Sequence, residues 1–320
     1  MNVGMTINAH LTEFGGLSIL NFEGTLDQVD THAYRIAVDY SEDEAAWPGD
    51  EDQPLWERKF AALLRLPEAA RLRVLITGPT TEDDPTDTMS EALPPLLAAA
   101  PQLSALEGLF LNDLTYEECE ISWIQMQSLA PLLAAFPNLR HLGVRGSGEG
   151  LTFGALHLPH LETLIIQSGG LPREVVAEVL AADLPELRHL ELYFGSENYG
   201  ATTTIADLAP LLRGDLFPKL KVLGLKNAEF SDEIAAATAH SPLLARLDVL
   251  DLSLGMLTDE GARALLGGGA ATHLKTLDLS HHYLSGDMQT EVRAAFPATA
   301  LLLDDPQDVN DEWRSVAISE

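Results

Sequence analysis

Several residues have the types and the spacing that metal binding could use. His281 and His282 lie close to Asp278 and Asp287, and histidine nitrogens and carboxylate oxygens are common metal ligands. Neighbouring residues of a β-strand point to opposite faces of the sheet, so two consecutive histidines in a regular strand are not expected to bind one ion. We expect His282 to form a hydrogen bond with the backbone, which is a structural role.

A glycine-rich segment and a lone cysteine are two further candidates. Gly146-x-Gly148-x-Gly150 follows a predicted strand, as dinucleotide-binding loops do, but such a loop must open a helix that meets the pyrophosphate. The next strand, at Leu161, leaves no room for that helix, so the segment predicts a tight turn and no cofactor. Cys119 lies between two glutamates, whose charge disfavours the thiolate that a nucleophile needs.

His189 and Glu191 are the remaining candidates for chemistry. A histidine beside a carboxylate could move a proton, and His281 with Asp278 offers a second pair of the same kind. These pairs define one hypothesis, an enzyme or metal-dependent accessory protein with its site on the predicted sheet. No complete acid–base or nucleophile arrangement is present, so a non-enzymatic protein is the main prediction.

The elements that must position these residues come from a repeat. The pattern L-x-x-L-x-L recurs at intervals of about 20–35 residues, which is typical of a solenoid. One strand of this kind cannot bury its own leucines, so parallel strands must stack and a return segment must cover them. Clear copies begin at Leu106, Leu139, Leu161, Leu187, Leu220, Leu247 and Leu274, with a weaker one at Leu72 and a terminal one at Ala298. About nine parallel strands are therefore predicted.

The segments between the strands mostly predict helices. Pro172 suits a first helical position, and Ser285 is expected to cap the helix that carries Val292 and Phe296. The repeat that begins at Leu139 is the shortest and is rich in glycine, so an extended or turn-like return is expected there.

The repeats resemble those of the leucine-rich-repeat superfamily, of the ribonuclease-inhibitor-like type, over about residues 72–305. The resemblance implies an α/β fold: a right-handed solenoid with a parallel sheet on its concave face and helices and irregular segments on its convex face. The family usually has an asparagine three residues after the third leucine, and this chain lacks it. Those positions hold Leu114, Ser147, Gly169, Gly195, Ala228, Gly255 and His282.

Four stretches resemble more closely one group of bacterial leucine-rich-repeat proteins without an established biochemical activity. They are residues 116–124, 168–172, 277–285 and 313–320. The resemblance to this group implies a fold and no reaction.

Three regions are predicted along the chain. Residues 1–71 form an N-terminal cap, in which Tyr34–Tyr40 alternates as a strand does and Trp56 and Phe60 mark a helix. Residues 72–305 form the solenoid, whose end strands need such caps to keep core leucines from water. Residues 306–320 form an acidic tail that folds back over the last repeat.

The solvent face of the predicted sheet offers the best binding surface. Tyrosine and arginine are enriched at interface hot spots, and a mixed group of charges lies at the centre of this face. The predicted partner-binding residues are Arg145, His189, Glu191, Tyr193, Lys226, Asp251 and Asp278. Tyr193 and Lys226 are expected to point out of the core, so their replacement should barely change the melting temperature. The acidic loops at 42–52 and 82–87 and the segment Glu117–Trp123 are the alternative surface.

The charge of the chain limits its partners. The 320 residues contain 19 Lys and Arg against 49 Asp and Glu, a formal net charge of −30. Such a surface repels nucleic acid and anionic lipid, so neither is an expected partner, whereas a protein with a basic patch is. The single cysteine and the N-terminal sequence, which lacks the features of a secretory signal, favour the cytoplasm. A monomeric, non-enzymatic protein-binding scaffold is the resulting prediction.

Overall fold

The structure is a computed structural model that describes residues 7–39, 43–50, 52–81, 85–148, 150–268 and 271–319. By its contacts the described chain divides into two compact units, residues 7–163 and 164–319. Parts of two predicted acidic loops, at 42, 51 and 82–84, lie outside the described residues, and so do residues 1–6.

The first unit contains six strands and three α-helices. The strands are β1 Glu13–Phe14, β2 Leu17–Asn21, β3 His32–Ile36, β4 Val74–Thr77, β5 Gly108–Leu111 and β6 His141–Arg145. The helices are α1 Leu55–Arg65, α2 Thr88–Ala99 and α3 Ala130–Ala135, with 3-10 turns at Glu44–Ala46, Pro67–Arg71 and Pro85–Asp87. The first two strands pair antiparallel, and from β2 onward each strand pairs in parallel with the next.

The second unit repeats the same plan. Its strands are β7 Thr163–Gln167, β8 His189–Gly195, β9 Val222–Ala228, β10 Val249–Asp251, β11 Thr276–Asp278 and β12 Ala300–Leu302. Its helices are α4 Arg173–Leu180, α5 Ala209–Leu212, α6 Ser231–Ala239, α7 Asp259–Gly268 and α8 Gly286–Ala295, with 3-10 turns at Glu197–Tyr199, Leu244–Arg246 and Ala271–His273. Strands β8 to β12 pair in parallel in chain order.

The repeat leucines form the core of each unit. Leu109 pairs with Leu142 in one unit, and Leu223 pairs with Leu250 in the other, and all four are fully buried. Burying a leucine side chain stabilises the fold by about 2 kcal/mol relative to leaving it exposed. Because side chains alternate along a strand, the residues between the leucines face the other side of the sheet. The α/β leucine-rich-repeat solenoid predicted from the repeats is confirmed.

Two local predictions are also confirmed. Between β6 and β7 the described residues contain no helix, and the return there turns through Gly146 and Gly148, which have φ of 144° and 97°. The Ser285 side chain accepts a hydrogen bond from the amide of Met288 and so caps α8. Pro172 is the N-cap of α4 and precedes the first helical residue by one position.

The N-terminal region differs from the prediction in its strands. The predicted strand at Tyr34–Tyr40 is observed as β3, residues His32–Ile36, and two further strands, β1 and β2, precede it. β1 has only two residues, and β2 carries a degenerate copy of the pattern, Leu17-x-x-Leu20-x-Phe22, which the prediction did not include. The sheet continues in parallel from β3 to β4, across the predicted boundary at residue 71, and that boundary stays a prediction.

The segment after β12 reaches further than the last repeat. Residues 315–318 contact Tyr283 of the last repeat and continue back to the end of β9, where the amide of Ile318 donates to Asn227 Oδ1 over 2.9 Å. Equivalent positions at the end of β9 and in the loops after β10 and β11 hold a residue in the left-handed region: Asn227, Leu254 and His281, with φ of 55°, 68° and 57°.

Candidate functional site

Six of the seven predicted partner-binding residues lie on adjacent strands of the second unit. The pairing of β8 to β11 places their side chains in three rows on the face opposite the leucine core. The first row is His189, Val222, Val249 and Thr276; the second is Glu191, Gly224, Asp251 and Asp278; the third is Tyr193 and Lys226. We call these six predicted residues the sheet-face cluster: His189, Glu191, Tyr193, Lys226, Asp251 and Asp278.

Lys226 is the centre of the sheet-face cluster. Its Nζ lies 2.6 Å from Asp251 Oδ2 and 3.9 Å from Glu191 Oε2. The same ammonium lies 5.1 Å from the centre of the Tyr193 ring, which is a cation–π contact. Burial by itself would lower the pKa of Lys226, but Tyr193 and the charges of Asp251 and Glu191 together raise it above its usual value. Lys226 is therefore protonated at neutral pH.

Glu191 links Lys226 to a histidine. Its Oε1 lies 2.6 Å from His189 Nε2. Burial opposes ionisation of Glu191, yet the hydrogen bond from His189 and the charge of Lys226 lower the pKa of the carboxyl below its ordinary value. Glu191 is thus an anion that two neighbours hold in place.

A glycine makes this arrangement possible. Gly224 lies between Glu191 and Asp251 in the second row. A Cβ at Gly224 would come within 2.8 Å of Glu191 Cγ and 3.1 Å of Lys226 Cδ. Because Gly224 has no side chain, the Glu191 and Lys226 side chains can extend into the space above it. This role of Gly224 was not predicted from the sequence, although a glycine in the middle of a strand is a signal for close approach.

Asp251 and Asp278 occupy the same position in successive repeats but differ in their partners. Each accepts a hydrogen bond over 2.9 Å from the amide two residues ahead, at Ser253 and Ser280. Asp251 is paired with Lys226, whereas Asp278 has no ion pair within the described part of the chain. Burial and the nearby charge of Asp251 raise the pKa of Asp278. Asp278 is the carboxylate of the sheet-face cluster that could accept an added cation.

Tyr193 and Lys226 are less accessible than the sequence suggested. Tyr193 is only 7% exposed, and the Lys226 side chain is 13% exposed. This low exposure contradicts the expectation of accessible side chains, and we now expect their replacement to lower the melting temperature. The physical reason is that the lysine lies across the tyrosine ring and towards two carboxylates instead of extending into water.

Arg145 lies in the other unit and is part of its interior. It is 2% exposed, and its Nη1 lies 3.3 Å from Asp113 Oδ1 and donates to the carbonyl of Leu114. The guanidinium also lies 5.6 Å from the centre of the Phe110 ring. The expectation that Arg145 is an outward anchor is wrong, because its charge is satisfied by a buried carboxylate.

Asp113 is the centre of a second group of charges, which the sequence analysis missed. It is fully buried and lies 3.2 Å from Arg35 Nε as well as beside Arg145. Arg35 also approaches Glu118 Oε1 at 3.7 Å. We call these residues, with His10, the Asp113 cluster. Apart from Asp113 and Glu118, which are five residues apart, they are distant in the sequence and belong to no motif, so the fold brings them together.

A cavity of about 440 Å³ adjoins the Asp113 cluster. Its lining includes His10, Arg35, Glu118 and, from α1, Lys59. Burial opposes ionisation of Glu118, but hydrogen bonds from His10 and from the backbone of Thr115 lower its pKa. The cavity is polar and already contains paired charges, so the structure does not favour one ligand class for it.

The two histidines of the last repeat have contacts with the protein itself. His282 Nδ1 accepts a hydrogen bond from the amide of Leu284 over 3.1 Å, as expected for a structural role. His281 Nδ1 lies 2.9 Å from Asp305 Oδ2. Within the described ranges, no three histidine, cysteine, aspartate or glutamate side chains come together as a metal site would require.

The strands and the comparisons together define the class of the protein. Parallel strands built on L-x-x-L-x-L, joined by helices and irregular returns, make the chain a leucine-rich-repeat protein. It belongs to the same family as a protein of Bacteroides fragilis whose crystal structure is similar. The two are 33% identical with a TM-score of 0.77, over 89% of this chain and 76% of that one.

Other comparisons are weaker. An internalin of Listeria monocytogenes is 16% identical with a TM-score of 0.39, over 77% of this chain and 71% of that one. A leucine-rich-repeat protein of Leptospira interrogans is 13% identical with a TM-score of 0.21, over 77% and 91%. No protein-family model and no curated protein matches the chain. None of the described helices is long and apolar enough to cross a lipid bilayer.

Proposed function

We propose that the protein is a non-enzymatic protein-binding scaffold and that the sheet-face cluster is its binding surface. Repeat solenoids present extended, rigid surfaces that suit this role. The observation that carries the proposal is the preformed group around Lys226, in which Glu191, Asp251 and Tyr193 are held on neighbouring strands. A surface that is ordered before binding loses less conformational entropy when a partner docks.

The charge of this surface points to a basic partner. The sheet-face cluster contains three carboxylates, Glu191, Asp251 and Asp278, and one lysine. Asp278 has no ion pair within the described residues, and burial together with the charge of Asp251 raises its pKa. A lysine or arginine from a partner would pair with this carboxylate, and the attraction should weaken as salt screens it.

The experiment compares two charge reversals in the same repeat. A partner is first captured with the full chain and identified, and its affinity is then measured for wild type, Asp278→Lys and Glu291→Lys. Glu291 is an exposed residue of α8 and is the matched control, because its reversal changes the net charge equally. We expect Asp278→Lys to weaken binding at least tenfold and Glu291→Lys to have little effect. Equal affinities of wild type and Asp278→Lys would overturn the assignment.

One observation supports a second candidate function. The contact of 2.6 Å between His189 Nε2 and Glu191 Oε1 is the geometry of a proton-transfer pair, which an enzyme or a metal-dependent accessory protein would use. Elemental analysis of the purified protein separates the two proposals. A tightly bound divalent metal in stoichiometric amount, lost in His189→Ala, would favour this second function over the scaffold.

We also propose that the protein acts as a monomer in the cytoplasm. The single cysteine, Cys119, fits a reducing compartment, where proteins do not rely on disulfides. Cell fractionation tests the location, and sedimentation at several concentrations tests the monomer. Recovery outside the cytoplasm, or a stable oligomer at low concentration, would contradict these proposals.

A further inference from the structure

Three successive repeats place equivalent residues along one edge of the second unit. Asn227, Leu254 and His281 are spaced 27 residues apart, lie at the end of β9 and just after β10 and β11, and have the same left-handed backbone conformation. We call this row, with the adjacent Tyr283, the edge track. The segment 315–318 lies along it in the opposite direction to the order of the repeats.

The edge track binds the backbone of this segment at each repeat. Asn227 forms two hydrogen bonds with Ile318, because Oδ1 accepts from its amide over 2.9 Å and Nδ2 donates to its carbonyl. The carbonyl of Leu254 accepts from the amide of Ala317 over 2.9 Å. At the third repeat, the Tyr283 hydroxyl bonds both the amide and the carbonyl of Ser315, each over 3.0 Å.

The side chains of the segment alternate as those of a bound peptide do. Val316 and Ile318 are buried, whereas Ser315 is exposed. Extended peptides are commonly recognised in this way, with main-chain hydrogen bonds for affinity and pockets for alternate side chains. The contacts therefore require two apolar residues separated by one position and are otherwise independent of sequence.

The spacing of the repeats matches the length of an extended chain. An extended peptide advances about 3.3 Å per residue, so the step from Ser315 to Ile318 covers about 10 Å. Two spacings between neighbouring strands, at about 4.8 Å each, give nearly the same distance. An extended segment crossing the strand ends can thus meet the edge track at Asn227 and at His281 without distortion.

The connection to the rest of the chain is exposed. Residues 310–315 are all exposed, and Trp313 is 86% exposed. The guanidinium of Arg314 in this connection lies 5.3 Å from the centre of the Tyr283 ring, so the position of the segment depends on the edge track itself. Such a segment behaves as a tethered ligand whose effective concentration is of the order of millimolar.

We propose that the edge track is a peptide-binding site that residues 315–318 occupy in cis. A partner protein displaces them with an extended segment that carries two apolar residues, one position apart. This site is separate from the sheet-face cluster and does not rest on the function proposed for it.

The test uses the full chain with its own segment released. Val316→Asp combined with Ile318→Asp places charges where two apolar side chains are buried, and this release variant should free the edge track. A fluorescent peptide of residues 311–319 is then titrated against it and against wild type. We expect the release variant to bind the peptide at least tenfold more tightly than wild type, because the tethered segment competes in wild type. Asn227→Ala in the release variant should weaken binding about tenfold, since two hydrogen bonds are lost.

A control peptide and a second variant complete the test. The peptide with aspartate at the positions of Val316 and Ile318 should not bind. If the double substitution does not fold, Ala317→Pro replaces it, because proline removes the amide that donates to Leu254. Failure of the peptide to bind the released chain, equal binding to wild type, or no effect of Asn227→Ala would overturn the proposal. If wild type forms a concentration-dependent dimer that exchanges this segment, the edge track is occupied by a second copy of the chain. That result would also overturn the assignment of a partner protein.

Discussion

The Asp113 cluster and the sheet-face cluster differ in the sign of the charge at their centre. In the first, one fully buried carboxylate lies against two arginines, Arg35 and Arg145. In the second, one lysine, Lys226, lies between two carboxylates, and a third carboxylate is unpaired within the described residues. The first is closed to solvent at Asp113, while the second reaches the surface of the sheet.

Because of this difference, we expect the first cluster to stabilise the fold and the second to be suited to binding. Asp113 itself is enclosed by two guanidinium groups, so we expect this carboxylate to stabilise its unit. The sheet-face cluster carries an excess of negative charge, with Asp278 unpaired within the described residues. Arg145 and Tyr193 occupy the same repeat position, yet Arg145 contacts a carboxylate from a loop and Tyr193 contacts a lysine of the next strand.

The largest effect is expected at Asp113. Asp113→Ala leaves Arg35 and Arg145 buried without their shared counter-ion, which should cost about 3–5 kcal/mol in the free energy of unfolding. Denaturant unfolding followed by circular dichroism measures this loss. Asp113→Asn, which keeps an acceptor for the amide of Leu11, should lose less than the alanine variant. If both variants are as stable as wild type, the cluster does not stabilise the fold.

A smaller loss is expected at Lys226. Lys226→Met leaves Asp251 and Glu191 close together without a cation, at a cost of about 2–3 kcal/mol at neutral pH. Because the pKa of Glu191 is lowered in the folded state, its contribution is present above the ordinary value of 4.5 and is lost as the pH falls. The difference between wild type and Lys226→Met should therefore shrink on acidification. A difference that stays constant down to pH 3 would argue against the charge pairing.

Asp251→Asn should cost about 1 kcal/mol. The substitution keeps the oxygen that accepts from the amide of Ser253 and removes only the charge that faces Lys226. Thermal unfolding at pH 7 should show a lower melting temperature. The double variant with Lys226→Met tests the cause, because the effect of Asp251→Asn should vanish or reverse when the lysine is absent.

The smallest effect is expected at Asp278, with the opposite sign. Asp278→Asn keeps the bond to the amide of Ser280 and removes a charge that burial and Asp251 disfavour, so it should stabilise the protein by less than about 1 kcal/mol. Because the pKa of Asp278 is raised in the folded state, the protonated carboxyl favours folding at low pH. This stabilisation is lost as the pH rises through the pKa of the folded state. The gain should appear at pH 7 and be absent below pH 3.8, the ordinary value. A lower melting temperature at pH 7 would contradict the unpaired state of Asp278.

The repeat leucines were sufficient to predict β4 to β12 and the register of the sheet-face cluster. Period and alternation are local properties, so the sequence displays them directly. The first two strands were missed because β1 has only two residues and the copy of the pattern in β2 ends in Phe22 instead of leucine. The partner of Arg145 was missed because Asp113 lies in a different loop and no motif joins them. The low exposure of Lys226 depends on the space above Gly224, which only packing reveals.

The equal interval between Asn227, Leu254 and His281 also constrains how this chain can evolve. A solenoid can gain or lose a whole 27-residue unit and still keep its leucines in register. Such a change would move one end of the edge track by a strand spacing of about 4.8 Å. Residues 315–318 would then fall short of it or overrun it by more than one residue. Duplication of a repeat in this unit would therefore require a change in the length of the segment that leads to residues 315–318. The repeats and this segment would have to change together.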